Sequence, residues 1–189
     1  MPVGTIIVLA FLAFVAVTIF KGVRIVPQGY KWIVQRLGKY HSTLNPGLNF
    51  VIPYIDDVAY KVTTKDIVLD IPSQEVITRD NAVLLMNAVA YINLTTPEKA
   101  VYGIENYTWA IQNLVQTSLR SIVGEMDLDD ALSSRDHIKA KLKAAISDDI
   151  SDWGITLKTV EIQDIQPSST MQAAMEAQAA AERQRRATV

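Results

Sequence analysis

Eighteen consecutive residues near the N-terminus, VGTIIVLAFLAFVAVTIF at 3–20, carry no charge and no proline. No other feature limits the fold as severely. A helix of that length spans roughly 27 Å at about 1.5 Å per residue, close to the ~30 Å hydrocarbon core of a bilayer. It is apolar on every side, so in a globular protein it would have to be buried all round, an awkward demand on a segment at a chain end. A cleaved signal peptide is the other candidate. Such peptides open with basic residues and close on a small-residue cleavage site. Here only Met1 and Pro2 come first, and Ile19-Phe20-Lys21 is a poor cleavage site. The sequence therefore predicts a retained anchor over 1–22. Ile6, Ile7, Leu9, Phe11, Leu12, Phe14, Val17, Ile19 and Phe20 are expected to face lipid.

Charge predicts orientation. Lys21, Arg24, Lys31, Arg36 and Lys39 follow the apolar run with no acidic residue among them, and the first carboxylate is Asp56. Basic flanks stay on the cytoplasmic side, which places a short N-terminus outside and the body at the inner face of a cell membrane. Those five side chains are expected to meet anionic headgroups, at about 1 kcal/mol each. Beyond them thirteen basic residues stand against twenty acidic ones, a balance unsuited to a nucleic-acid partner. The chain has no cysteine, which excludes disulfides, thiol nucleophiles and thiolate metal sites.

The remainder predicts an α+β fold of one domain, 23–167, with a mainly antiparallel sheet and packed helices. Strands are expected at 31–36, 48–52, 58–62, 66–71 and 75–78, with the longest at 82–94. Leu44-Asn-Pro-Gly reads as a turn. Thr96-Pro97 opens a short helix, and Asn106 caps a longer one with Ile111, Leu114, Val115, Leu119, Ile122 and Val123 on one stripe. Ser133 and Asp136 have the spacing of a capping box, opening a helix that carries Ile138, Leu142, Ala145, Ile146 and Ile150 and ends at Gly154. A strand returns over 155–165, and its apolar parity switches near Thr159, as a bulge would produce. From 168 to 189 the Ala/Gln/Glu/Arg composition predicts the start of a long coiled-coil helix, the natural chain continuing beyond it. Met171, Ala174, Met175, Gln178, Glu182 and Arg185 are its expected contacts with neighbouring copies.

Leu48-Asn-Phe-Val-Ile-Pro-Tyr-Ile is a second apolar cluster. It reads equally well as a core strand or as a membrane-inserting edge formed by Leu48, Phe50, Val51, Ile52, Tyr54 and Ile55. Trp32, Trp109 and Trp153 read as core or interface aromatics, with Tyr30 and Trp32 alternatively at headgroup level. His41 and His137 have no carboxylates at metal-ligand spacing and read as surface residues. Glu125-Met-Asp-Leu-Asp-Asp lacks the glycine and spacing of a calcium loop; it reads as a solvated helix start, able to face Lys139, Lys141 and Lys143 of a neighbour. No nucleophile elbow, phosphate loop or zinc-protease helix is present, so the expectation is a protein without catalytic, cofactor or metal residues.

Taken in order, IVPQGYKWIVQRLGKYHSTLNPGLNFVIPYID (25–56), VLDIPSQEVITRDN (68–81), LRSIVGEMDLDDALSSRD (119–136) and WGITLKTVEIQDIQPS (153–168) resemble the stomatin/prohibitin/flotillin superfamily, most closely its prokaryotic stomatin-like branch. The resemblance implies an SPFH (band 7) domain followed by a long helix, and a non-enzymatic scaffold. Copies would assemble into a ring or cage around a membrane patch and sequester or regulate membrane proteins, membrane-bound proteases among them. The rival readings are a membrane-tethered protease, or a monomeric or dimeric adaptor of one.

Overall fold

The computed structural model describes residues 3–187, without the side chains of Val3, Thr5, Glu182, Arg186 and Ala187. It divides into two compact units, Met1–Lys65 with Leu94–Gly103, and Asp66–Asn93 with Ile104–Val189.

The first unit begins with α1 (Val3–Gly22), helical where the apolar run predicts it. Among the described residues no helix is long and apolar enough to cross a membrane; the unbroken run of described side chains in α1 starts only at Ile6. The chain passes straight into β1 (Val23–Val26), which pairs antiparallel with β4 (Gly47–Phe50). A second sheet has the order β3-β2-β5, from β2 (Tyr30–Arg36), β3 (Lys39–Leu44) and β5 (Asp56–Thr63). Val26, Val34, Leu44 and Val51 are buried together, with Trp32 and Val58 packed against them. That cluster holds the two ribbons to one another. The short α2 (Pro97–Gly103) has Pro97 at its first position, and the Thr96 carbonyl accepts from the Lys99 and Ala100 amides.

In the second unit, β6 (Ile67–Ile77), β7 (Val83–Leu94) and β8 (Ile155–Pro167) form an antiparallel β6–β7 pair extended by β8. Segments 66–71 and 75–78, expected as two strands, are one: the β6–β7 register shifts between Ile71 and Gln74, so Pro72 sits in an irregularity rather than ending the strand. β8 exceeds β7 by one residue and is the longest strand. Its buried positions change parity between Leu157 and Val160, where the sequence pattern places a bulge.

α3 (Tyr107–Gly124) is capped by the Asn106 side chain, which accepts from the Trp109 amide at 3.0 Å. α3 packs on β6, and α5 (Arg135–Asp152) packs on α3 and β8. The predicted stripes are buried, except that Leu114 is half-buried and Ala145 exposed. Ser133 does not open α5. It ends a separate short helix, α4 (Leu128–Ser133), and its hydroxyl bonds back to the Asp129 carbonyl. The acidic run does start a helix, but Asp80 rather than Asp127 caps it, accepting from the Leu128 amide; Asp127 pairs with Arg79. The three lysines expected to meet that run across an interface are engaged within the chain. Lys139 pairs with Glu161, Lys141 with Glu125, and Lys143 donates to the Lys158 carbonyl. Gly154 follows α5 at φ +70°, a left-handed conformation that side chains disfavour by about 1–2 kcal/mol. Gly154→Ala is expected to destabilise the protein by about that amount in a thermal melt.

The last described element is α6 (Ser169–Ala187), tied to the sheet by the Ser168 amide donating to the Val83 carbonyl at 2.9 Å.

Candidate membrane-contact surface

An antiparallel ribbon normally turns its apolar face inward. In β1–β4, Val26 faces inward and is buried, while Ile25 and Leu48 are paired across the ribbon and both exposed; Phe50, opposite Val23, is 69% exposed. Ile52, Tyr54 and Ile55 in the following turn are exposed as well. Of the six residues proposed for insertion, Val51 is the exception. At 9% exposure it belongs to the core cluster, and only its neighbours on either side face outward.

Two strained turns sharpen this surface. Leu37-Gly38 is a two-residue hairpin loop between β2 and β3 with φ of 51° and 83°. Both values are positive, the pattern that ordinarily selects Asn-Gly. Leu37 occupies the first position and is 86% exposed. In Ile52-Pro53-Tyr54-Ile55, Pro53 takes the second position and Tyr54 has φ 72°, where a type II turn normally requires glycine. The Leu37 amide donates to the Ile55 carbonyl at 3.4 Å, so the two turns are neighbours. Such backbone strain, about 1–3 kcal/mol each, concentrates where function requires it. Leu37→Asn is expected to raise stability by about 1 kcal/mol in chemical denaturation while removing one exposed apolar group.

Polar chemistry fastens the surface from behind. Arg36 donates to both oxygens of Asp56, Nε at 2.7 Å and Nη2 at 3.0 Å, and Asp56 also accepts from the Ile52 amide at 2.9 Å. The Arg36 hydrogen bond, joined by that amide, holds the Asp56 carboxyl down to about 2. A depressed acid contributes stability above its unfolded value near 4 and loses it as pH falls through the folded one. Protection of the Ile52 amide, its exchange rate relative to the intrinsic rate at the same pH, is therefore expected to hold from pH 7 to 4 and to fall only as the pH approaches 2. Asp56→Ala, which leaves no side-chain acceptor, removes that protection at every pH.

The apolar helix joins the same surface. The Val51 amide donates to the Gly22 carbonyl at 2.8 Å, and a Cβ at Gly22 would lie 2.8 Å from the Val51 oxygen. Only glycine permits this approach. The Lys21 ammonium sits 5.6 Å from the centre of the Tyr54 ring. All the predicted lipid-facing residues of α1, from Ile6 to Phe20, are exposed.

The basic residues divide. Lys21, Arg24 and Lys39 are exposed beside the apolar helix, on β1 and after the Leu37 turn respectively. Arg36 is committed to Asp56. Lys31 lies near the other end of β2, roughly 17–20 Å from Leu37 at ~3.3 Å per residue. Tyr30 and Trp32 belong to that end too, under Lys65 and Lys61 respectively. His41 and His137 are exposed, as is Trp109, which is therefore not a core residue. On α6, Ala174, Gln178 and Arg185 are exposed, Met171 is half-buried and Met175 is at the margin; Glu182 lies outside the described side chains. Ile25 and Leu37 are absent from the sequence-based set: Ile25 stands beside Val26 and nothing in the sequence says which of the two faces outward, and Leu37 is a single apolar residue in a polar context.

Residues 24–189, nearly the whole chain beyond α1, match the SPFH domain / Band 7 family. The protein belongs to that family. A relative from Methanocaldococcus jannaschii, itself uncharacterised, is 41% identical over 171 residues, covering 90% of this chain and 85% of its own. Human stomatin-like protein 2, mitochondrial, is 38% identical over 164 residues, 87% of this chain and 46% of its own. An uncharacterised Mycobacterium tuberculosis protein is 37% identical over 190 residues, 98% of this chain and half of its own. The chain thus spans about half the length of the human and mycobacterial relatives. The α+β architecture, antiparallel sheets with helices packed against them, is the one an SPFH domain implies.

Proposed function

We propose that this SPFH protein is a non-enzymatic membrane scaffold. In this reading α1 crosses the bilayer once, the body lies on the cytoplasmic side of a cell membrane, and many copies associate into a ring or cage around a membrane patch, where they sequester or regulate membrane proteins such as proteases. Family membership and the stomatin-like relatives support membrane association. The observation that carries the reading is the outward apolar surface of Ile25, Leu37, Leu48, Phe50, Ile52, Tyr54 and Ile55, tied to the end of a twenty-residue apolar helix. A contiguous exposed patch of this kind on a water-facing protein marks a lipid or protein interface. Lys21, Arg24 and Lys39 would then meet anionic headgroups at its edge. Confinement to a plane raises effective concentration, so weak lateral contacts between copies add up to stable assembly.

Electron microscopy and mass measurement of gently solubilised full-length particles test the assembly. Closed multi-copy particles are the expected result; a single-copy particle across a wide concentration range removes the scaffold reading.

A further inference from the structure

The first unit carries a second solvent-facing feature, on the side of the β3-β2-β5 sheet away from the core cluster. Ile33 of β2 and Ala100 of α2 are fully buried where the two elements pack. Gln35 and Thr43 fasten the helix there, donating to the Tyr102 hydroxyl and the Glu98 carboxylate. Three tyrosines gather at this joint. Tyr102 meets Tyr40 and Tyr60 edge to face, with ring centres 6.0 and 5.8 Å apart. Thr43 gives its one hydroxyl proton to Glu98, so the Tyr40 hydroxyl is the donor to Thr43 at 3.0 Å. The rings are thus held in position, yet each is between 42% and 45% exposed. Tyrosines fixed at a surface are characteristic of binding sites.

The charges around the rings are one-sided. Glu98 flanks them on α2, and Asp57 stands opposite Gln35 on β5. Among the described residues neither carboxylate has an ion-pair partner. The adjacent lysines belong to the other face of the sheet: Lys39 is opposite Arg36, and Lys61 lies 4.6 Å over the Trp32 ring. Lys31 is four residues back along β2 from Gln35, and Lys99 is one helical step, about 100°, from Glu98. Ring faces beside unpaired carboxylates fit a cation. A guanidinium fits best, because it is planar, stacks on aromatic rings and pairs with a carboxylate through two donors. Height indicates where that cation comes from. Tyr40 is three residues beyond Leu37 and Tyr60 four beyond Asp56, so the rings stand up to roughly 10–13 Å from the outward apolar surface. Headgroups add only roughly 5–8 Å to each side of the hydrocarbon. The rings therefore lie just above the headgroup layer, at the level where the basic residues flanking a transmembrane helix emerge on the cytoplasmic side.

We propose that this tyrosine patch receives the basic juxtamembrane segment of another membrane protein, whose arginines stack on Tyr40, Tyr60 and Tyr102 and pair with Glu98 and Asp57. An amine-bearing lipid headgroup has the right charge but lies below the rings. The contact rests on the membrane placement of the scaffold reading and deepens it, since it gives the scaffold a class of client: proteins recognised by the positive flank of a membrane span.

The chain has no native cysteine, so Gly103→Cys, where an added Cβ meets nothing within 4 Å, takes a single fluorescent donor beside Tyr102. Full-length protein is reconstituted in phosphatidylcholine liposomes with an acceptor-labelled Leu/Ala transmembrane peptide flanked by a run of arginines, or of glutamines as the control. Saturable energy transfer above the glutamine control is expected. Glu98→Gln with Asp57→Asn should weaken binding roughly three- to tenfold. Tyr60→Leu should weaken it as well, and Tyr60→Phe, which keeps the ring, should not. Equal transfer from the two peptides overturns the proposal, and so does transfer undiminished in the carboxylate double variant. Excess transfer that appears only when phosphatidylglycerol replaces phosphatidylcholine shows choline headgroups on the rings and overturns it too. Closed multi-copy particles without the excess remove this contact and leave the scaffold intact, whereas single-copy particles that bind the arginine peptide keep the contact and remove the scaffold.

Discussion

Full-length protein carrying Leu48→Asp, Phe50→Asp and Ile52→Asp is expected to lose contact between its apolar surface and lipid by on the order of a thousandfold. Even at about 1.5 kcal/mol per buried side chain, three such groups supply ~4.5 kcal/mol, and every ~1.4 kcal/mol is tenfold in an equilibrium constant. All three are exposed within their own chain, so the substitutions remove no core contact and the melting temperature should hardly move. The measurement is fluorescence of a probe on Ile55→Cys in liposomes containing brominated lipid. Strong quenching is expected in the otherwise native chain and none in the triple variant. Val68→Asp with Ile77→Asp, equally exposed but on the second unit, should leave the quenching as it was. Equal quenching in the triple variant would show that these three side chains do not drive the contact, and no quenching in the otherwise native chain would show that lipid is not what this surface meets.

Ile146→Ala is the substitution expected to cost the second unit most. Ile146 is fully buried on the stripe of α5 that faces α3 and β8. Deleting a buried Ile side chain to Ala destabilises by about 2–5 kcal/mol, the lost transfer energy plus the cavity left behind. Against a typical stability of about 5–15 kcal/mol this is a large fraction. Urea titration followed by circular dichroism should show an earlier midpoint at unchanged slope. A shift below about 1 kcal/mol would mean that the α3–α5 layer collapses to fill the space.

What the sequence made legible follows from how strongly each signal is coupled to one conformation. The α1 run, the Asn106 cap and the 3.6-residue stripes of α3 and α5 each repeat their message over several turns, and each element is present. β3 was not foreseen, because Lys39-Tyr-His-Ser-Thr-Leu is an edge strand with a single buried residue, Leu44, and so no alternation to read. α4 has six residues, too few for a helical period to stand out. Pro72 looked like the end of a strand because proline cannot donate to a ladder, but a bulge asks for no donor there. At the candidate surface, the apolar composition of 48–55 was visible and its exposure was not. Composition is the same whether a residue points inward, as Val51 does, or outward, as Phe50 and Ile52 do. Leu37 had a faint signal, a bulky residue before glycine between two β-rich runs. Tyr54 had none, since its positive φ is imposed by the Ile52–Asp56 turn and the Arg36 clasp.

The junction at Gly22 has a mechanical consequence. α1 ends and β1 begins without an intervening residue, and the Val51 amide closes the joint from the side. There is no swivel between helix and first unit. With α1 in a bilayer, that unit would turn only as fast as the helix turns in lipid, and any torque on it would be delivered as helix tilt. A neighbour that rotates one copy would thereby re-aim its anchor, so that bilayer thickness and the angle between adjacent copies become a single coupled variable.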